Sequence, residues 1–455
     1  MTFLSTLTKH KGAFSVSAAA NIGSILFGFD TGVAGGVVAL QSFKTDFHLS
    51  TTPKKLALTS GNIVALLNLG AFLGALLPAL ISHHLGRRHL LLIAGCFFLV
   101  GGILQTAAQP PSLSMIYGGR VLAGFGVGVV STTAPVFVAE CSPKKLRGIM
   151  MGALRCSLFL VECWLVGKGD VEIVEELAEM KAQIDEEIAL TNGRRISEML
   201  KVRNCQRLLW GLSVAFFTMW CGHNAILVRE FMSPDFSLKY YGPAVFKQIG
   251  FTSQNSSLLA SGVFTCIKFI STIVFLVSGV QIFKRKTMLC VGAFFMGGFL
   301  LGLGAVLQAY PPTAGDVSGT PAAKGMMALI YLFVVAYCLS WGPLVWVYIG
   351  EIFPTRLRDY GMAMCTMMIW LMNYVVSKIA PNAILNIGWK TWMIFGTLNI
   401  VAAIFSWFLP ETQNLSLEEM DVLFKVVEEE HRKRDVEMNM NEKVGAVATV
   451  DKAGV

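Results

Sequence analysis

The sequence predicts an all-α polytopic membrane protein with about ten spans, on three observations. The first is composition: of 455 residues, 54% are apolar and only 15% charged, against roughly a quarter charged in a soluble chain. The second is a series of apolar stretches, each near the 20 or so residues that cross a bilayer. The third is that the basic residues collect in the short connections between those stretches. The formal charge of +8 is therefore a property of the loops. It reads as an orientation signal and makes no case for nucleic-acid binding.

In chain order the spans are expected near 13–38, 57–82, 90–108, 115–139, 208–227, 257–280, 288–309, 326–350, 361–385 and 390–409. The first follows a short basic N-terminus with Lys9 and Lys11. Its apolar run exceeds a signal-peptide core, so it is expected to be retained. The stretch 149–166 carries Arg155 and Glu162, and each charge at mid-membrane costs about 2.5–3.5 kcal/mol on insertion scales. Basic clusters at Arg87–Arg88, Lys144–Arg147, Lys284–Lys286 and Arg356–Arg358 belong on one face by the positive-inside rule. An added crossing at 149–166 would invert the second half, so that stretch is expected not to cross.

This parity divides the chain into an N-terminal membrane bundle (1–167), a cytosolic connection (168–207), a C-terminal bundle (208–409) and a cytosolic tail (410–455). Both termini are then cytosolic. The tail is expected to open with an amphipathic helix through Leu415, Leu417, Met420, Leu423 and Phe424, and to end in a polar disordered segment. The ten cysteines lie mostly inside apolar runs, without metal-ligand spacing or a disulfide framework. They read as small buried hydrophobes.

The two halves share a pattern. Glu140-x-x-Pro143-x-x-x-Arg147 recurs as Glu351-x-x-Pro354-x-x-x-Arg358, each directly after a long apolar span. Matched charges at matched membrane edges mark an internally duplicated membrane protein.

Further residues join this repeat. They are Gly28-Phe29-Asp30-Thr31-Gly32-Val33 in the first span and Gly86-Arg87-Arg88 after the second. The fourth span holds Gly119-Arg120-Val121 with Gly124, Gly126 and Gly128. The second half holds Gly342-Pro343 with Trp346, and Pro410-Glu411-Thr412 before the tail. In this order they resemble the sugar porters of the major facilitator superfamily, over nearly the whole chain. The resemblance implies a fold of two pseudo-repeated helical bundles that alternately expose a central site.

It also implies roles. Arg87, Glu140, Arg147, Glu351, Arg358 and Glu411 correspond to the cytoplasmic salt-bridge gate. Asp30 and Arg120 correspond to the proton-coupling pair of proton-linked members. An acid inside a span is functional by default; beside an arginine it stays ionised, and losing that partner raises its pKa. Asn224, Trp346 and Asn373 correspond to solute-binding positions, with His223 as a local addition. The implied partners are a small solute, protons and the bilayer, with no cofactor, no metal and no enzymatic role. The implied setting is a plasma membrane, with the protein a monomer.

The chain departs from the family in four places. Residues 151–154 pass almost directly to Trp164–Gly169, so most of helix five and all of helix six are expected to be missing from the N-terminal bundle. A 13-residue string, Leu227–Lys239, separates Asn224 from Tyr240 and Tyr241. The paired glutamines of helix seven are replaced by Thr218 and Met219, and one asparagine of helix eleven by Ile369.

The leading expectation is a proton-coupled secondary transporter of sugars or a related small cyclic or polyol solute. Three alternatives stand beside it: transport of a less polar cyclic acid or secondary metabolite, a non-functional product of an altered transporter gene, and a transporter-like sensor. Nothing in the sequence resembles a nucleotide loop or a catalytic triad.

Overall fold

The computed structural model describes residues 41–48, 53–141, 198–199, 202–223, 266–275, 283–310, 321–354, 357–413 and 424. Within them the structure is helical, in keeping with the expected class. The helices are α1 (Gln41–Asp46), α2 (Pro53–Gly74), α3 (Leu77–Thr106), α4 (Ser114–Cys141), α5 (Val202–Trp220), α6 (Arg285–Ala309), α7 (Pro321–Leu339), α8 (Trp341–Ile352), α9 (Arg358–Ile387) and α10 (Lys390–Trp407). A further helical stretch covers 266–274.

Among the described residues six helical segments are long and apolar enough to cross a membrane. They are Gly61–Ser82, Leu85–Thr106, Ser114–Val138, Arg285–Ala309, Pro321–Ile352 and Arg358–Ala380. The expected spans at 208–227 and 390–409 coincide in part with α5 and α10. The span expected at 13–38 and the doubtful stretch 149–166 lie outside the described residues.

Two spans differ from a plain rod for physical reasons. α3 continues through Gly86, whose φ of 71° and ψ of 163° are not helical. Only glycine adopts that combination without strain, so the chain reverses there, and Arg87 and Arg88 sit at the turn. The stretch expected as one span at 326–350 is broken at Ser340 (φ −137°, ψ −93°) into α7 and α8. Pro343, in the first turn of α8, lacks the N–H that would continue the ladder.

Glycine sets the packing of the N-terminal helices. A Cβ on Gly70 would strike the Val121 carbonyl, one on Gly124 the Leu67 carbonyl, and one on Gly128 the Ala71 carbonyl. α2 and α4 thus touch backbone to backbone, the arrangement that small residues permit in lipid, where dispersion rather than hydrophobic exclusion holds helices together. On α3, Leu92, Leu99 and Ile103 are 60%, 65% and 56% exposed. Side chains of that kind on a span meet lipid or a neighbouring helix, not water.

The C-terminal half has a larger core. Trp341, Tyr348, Phe333, Phe353 and Trp392 are fully buried within it. α9 joins the halves: it packs against α5 on its own side and against α2 and α4 on the other.

Candidate functional site

The elements converge on a polar seam in which α2 and the start of α3 face α9. At one end Arg87 Nη2 lies 3.1 Å from Asp359 Oδ1, and the Ser82 hydroxyl donates to Asp359 Oδ2 at 2.6 Å. Further along, the Asn373 amide donates to Asn68 Oδ1 at 3.2 Å, and the Asn68 amide donates to the Ser377 hydroxyl at 3.3 Å. At the far end Lys378 Nζ donates to Asn62 Oδ1. Trp370 Nε1 reaches across to Ser131 Oγ on α4 at 2.9 Å. Because α2 and α9 run antiparallel, these pairs hold one register from the Asp359 end to the Lys378 end. Polar groups in a bilayer must be paired internally, and here the partners are supplied by the opposite half.

A second network closes the base of the C-terminal half where α6 begins and α8 ends. Arg285 Nη2 lies 3.4 Å from Glu351 Oε1, and the Thr412 hydroxyl donates to Glu351 Oε2 at 2.7 Å. Glu411 accepts from the backbone N–H groups of Arg285 at 2.9 Å and Lys286 at 3.2 Å. The first N–H groups of a helix have no partner within it, and Lys284 makes no side-chain cap for α6. Glu411 supplies that cap from a distance, and its negative charge suits the positive end of the helix. The Tyr348 hydroxyl donates to the Pro410 carbonyl at 3.3 Å. Arg207, fully buried, stacks its guanidinium 4.7 Å from the centre of the Phe424 ring. The first part of the tail is thereby tied to the base of α5.

The third cluster lies inside the C-terminal half, where two helices are interrupted. α5 ends at Trp220, and Gly222 takes a φ of 92°. The Asn399 amide holds that end by donating to the Cys221 carbonyl at 2.8 Å. His223, 5% exposed, then stacks on Tyr337 of α7 at 4.0 Å and 13°. Its Nε2 is 3.5 Å from Lys268 Nζ. Tyr337 also lines the α7–α8 break, since a Cβ on Gly342 would come 3.1 Å from its ring.

The sequence-derived candidates fall as follows. Arg87 pairs with Asp359, Glu351 with Arg285 and Thr412, and Glu411 caps α6. Arg358 is buried beside Asp359 at the start of α9. Glu140 ends α4, but its side chain, Arg147 and Asn224 lie outside the described residues, as does Asp30. Arg120 is buried near the start of α4. Asn373 sits in the seam, not apart from it, and Trp346 is half-buried on α8 against the C-terminal core. Thr218 does not replace the missing glutamine, because its hydroxyl donates to the Val214 carbonyl of its own helix at 2.7 Å.

Asp359, Asn68, Lys378 and Lys268 are the residues that sequence reasoning missed. The signal for Lys268 was present: it is a charge in the middle of the apolar stretch 257–280. Among the described residues no group of three His, Cys, Asp or Glu side chains is placed to hold a metal ion.

The family described as "Sugar (and other) transporter" matches residues 16–160 and 164–424. The break falls where the fifth and sixth helices are expected to be missing. A probable quinate permease of Aspergillus fumigatus is 28% identical over 485 residues, covering 90% of this chain and 87% of that protein. A quinate permease of Emericella nidulans is 28% identical, covering 90% and 88%. A high-affinity glucose transporter of Kluyveromyces lactis is also 28% identical, covering 89% and 83%. The alignment to the first runs longer than the chain itself, so that relative carries residues that this chain lacks.

Among solved structures, the major facilitator proton:xylose symporter XylE bound to 6-bromo-6-deoxy-D-glucose matches with a TM-score of 0.69 and 23% identity. The match covers 90% of this chain and 99% of that one. The inward-open xylose transporter XylE from E. coli gives 0.62 at 24% identity. The major facilitator fold is thus shared.

Proposed function

This chain belongs to the sugar (and other) transporter family, and on that premise we propose that it is a proton-coupled secondary transporter carrying a cyclic, hydroxylated solute across the plasma membrane. It is a multi-pass transporter type and not an enzyme. The observation that carries the mechanism is the α3–α9 contact at the end of the seam, where Asp359 of one half takes Arg87 and Ser82 of the other. Alternating access requires such contacts between halves to form and break. The solute class is supported by the relatives' names: quinate is a hydroxylated ring carrying a carboxylate, and glucose is its neutral counterpart.

Proton coupling is assigned to Asp30 with Arg120. Arg120 is buried within α4, a position in which a nearby carboxylate would keep its charge only while the two remain together. The test is uptake of labelled quinate and glucose by yeast lacking its own transporters and expressing the full-family form of the protein. Uptake that rises with an inward proton gradient and collapses with a protonophore is expected. Uptake indifferent to the gradient would reduce the protein to a facilitator.

The interrupted family match favours a second reading for this polypeptide. Without helices five and six the N-terminal half cannot enclose a central path. The chain would then be a non-functional product of a transporter gene.

A further inference from the structure

We propose that the outer face of the C-terminal half carries a binding site for one anionic phospholipid. An acyl chain lies in the groove between α6 and α10, and the phosphate meets Lys284 and Lys286.

The groove follows from how the two helices meet. Near mid-length they touch: a Cβ on Gly297 would come 3.1 Å from the Gly396 carbonyl, and one on Gly396 would come 3.0 Å from the Leu301 nitrogen. Toward the start of α6 and the end of α10 a cavity of about 510 Å³ opens between them, within the roughly 300–1,000 Å³ of small-molecule sites. Val291, Phe294 and Phe295 line it from α6, and Ile404, Trp407 and Phe408 from the end of α10. All six are exposed. These are aliphatic and aromatic surfaces, so the part of an occupant that they hold by dispersion is hydrocarbon.

The charge lies at one end only. Three basic residues stand at the start of α6, and the fold separates them. Arg285 is buried against Glu351, Lys284 is exposed, and Lys286 is half-buried with Nζ 5.2 Å from the centre of the Trp407 ring. Lys286 is thus held at the mouth of the groove, over a ring that lines it. Glu411 takes the backbone N–H groups of Arg285 and Lys286. Among the described residues no carboxylate lies within ion-pair distance of either lysine ammonium.

The dimensions fit a lipid. From Lys286 to Phe295 is nine residues, or about 14 Å along the helix, close to one leaflet of a hydrocarbon core about 30 Å thick. A chain lying in the groove places its headgroup level with the lysines. Tryptophan and lysine are also the residues that anchor a span at the membrane–water boundary, where basic side chains attract anionic headgroups. A neutral lipid would fill the groove and leave the ammoniums unmatched, and free phosphate would do the reverse. An anionic amphiphile uses both.

Quenching of tryptophan fluorescence by brominated acyl chains tests this on the purified full chain in phosphatidylcholine nanodiscs, with no transport needed. The guest lipid is brominated phosphatidylcholine or brominated phosphatidylglycerol. Trp407 is one of nine tryptophans, so its share is the difference between the chain and its Trp407→Phe variant. Phosphatidylglycerol is expected to quench that share at a mole fraction at least about five-fold lower than phosphatidylcholine does. Lys284→Gln combined with Lys286→Gln should bring the ratio to within about two-fold and leave phosphatidylcholine quenching unchanged. Lys390→Gln is the control and should keep the ratio, because Lys390 stands over Trp389 at 5.8 Å, at the other end of α10 and away from the groove. A wild-type ratio near one overturns the site, since contact with bulk lipid alone gives that. So does a ratio that survives the paired lysine changes, or one that Lys390→Gln lowers as much. Trp407 quenched by neither lipid overturns it too, and a doubled protein mass per nanodisc would then assign the groove to a second copy.

Discussion

Asp359 opens α9 and takes the Arg87 guanidinium of the opposite half at 3.1 Å. The same carboxylate accepts the Ser82 hydroxyl at 2.6 Å, and its side chain is 5% exposed against 17% for Arg87. A charge pair this sheltered is weakened little by salt, and one partner left alone is costly. Asp359→Asn should therefore favour opening of the side on which this pair lies. Labelling of a cysteine introduced at Ser131, measured from that side, is expected to quicken by about ten- to a hundred-fold, corresponding to one charged hydrogen bond. An unchanged rate would mean that Arg87 and Asp359 merely touch.

The backbone contact between α2 and α4 gives a stability prediction. Gly124→Ala places a methyl group against the Leu67 carbonyl, and neither backbone can yield without moving a helix. A loss of about 1–3 kcal/mol or more is expected, read as a lower melting temperature in detergent. Gly102→Ala is the control, because a Cβ there meets nothing within 4 Å. Equal melting of the two variants would show that the close approach does not hold the bundle.

Gly86 should respond for a different reason. No atom lies within 4 Å of its absent Cβ, but its φ of 71° is closed to other residues. Gly86→Ala is expected to lose about 1–3 kcal/mol through backbone strain alone. Gly86→Asn should not recover it, since the ψ of 163° lies outside the left-handed helical region that asparagine tolerates. Recovery by asparagine would place the turn in that region instead.

Coupling can be separated from movement. In the full-family form, Asp30→Asn is expected to abolish uphill accumulation while leaving exchange of labelled for unlabelled solute measurable. Normal accumulation by this variant across an imposed pH gradient would assign Asp30 a purely structural role.

The proposal that helices five and six are missing makes its own prediction. Restoring helices five and six and deleting Leu227–Lys239 should create uptake in transporter-null yeast where the chain as written gives none. If those helices are missing, any polar group of the N-terminal half that they would have paired is left in hydrocarbon, at several kcal/mol each. Equal uptake by the two forms would refute the claim.

Much of the architecture was legible because lipid imposes length and apolarity on every span. The break at Gly86-Arg87-Arg88 was legible for the same reason: charges must leave the bilayer where helices end. Partners were not legible. Arg87 announces a cation at the cytosolic edge, but its acid lies on a helix more than 250 residues later, with no local signature. The partner of Asn373, Asn68, was not legible either, because a motif specifies a helical face without saying which neighbour covers it. Lys268 was a different kind of miss. The charge rule that singled out Asp30 applied to it equally.

The single register along α2 and α9 makes the seam an unequal lever. Asn68 is six residues from Asn62 and fourteen from Ser82, or about 9 Å and about 21 Å along a helix. Were the single span Gly61–Ser82, which runs on from α2 into α3, to tilt as a rod by about 10° about the Asn68–Asn373 contact, its Ser82 end would swing by about 4 Å and its Asn62 end by less than about 2 Å. The first displacement exceeds what the Arg87–Asp359 pair can follow, while the second can be absorbed by the long arm of Lys378. A small rotation at the fulcrum would thus unlatch one side and leave the other tethered.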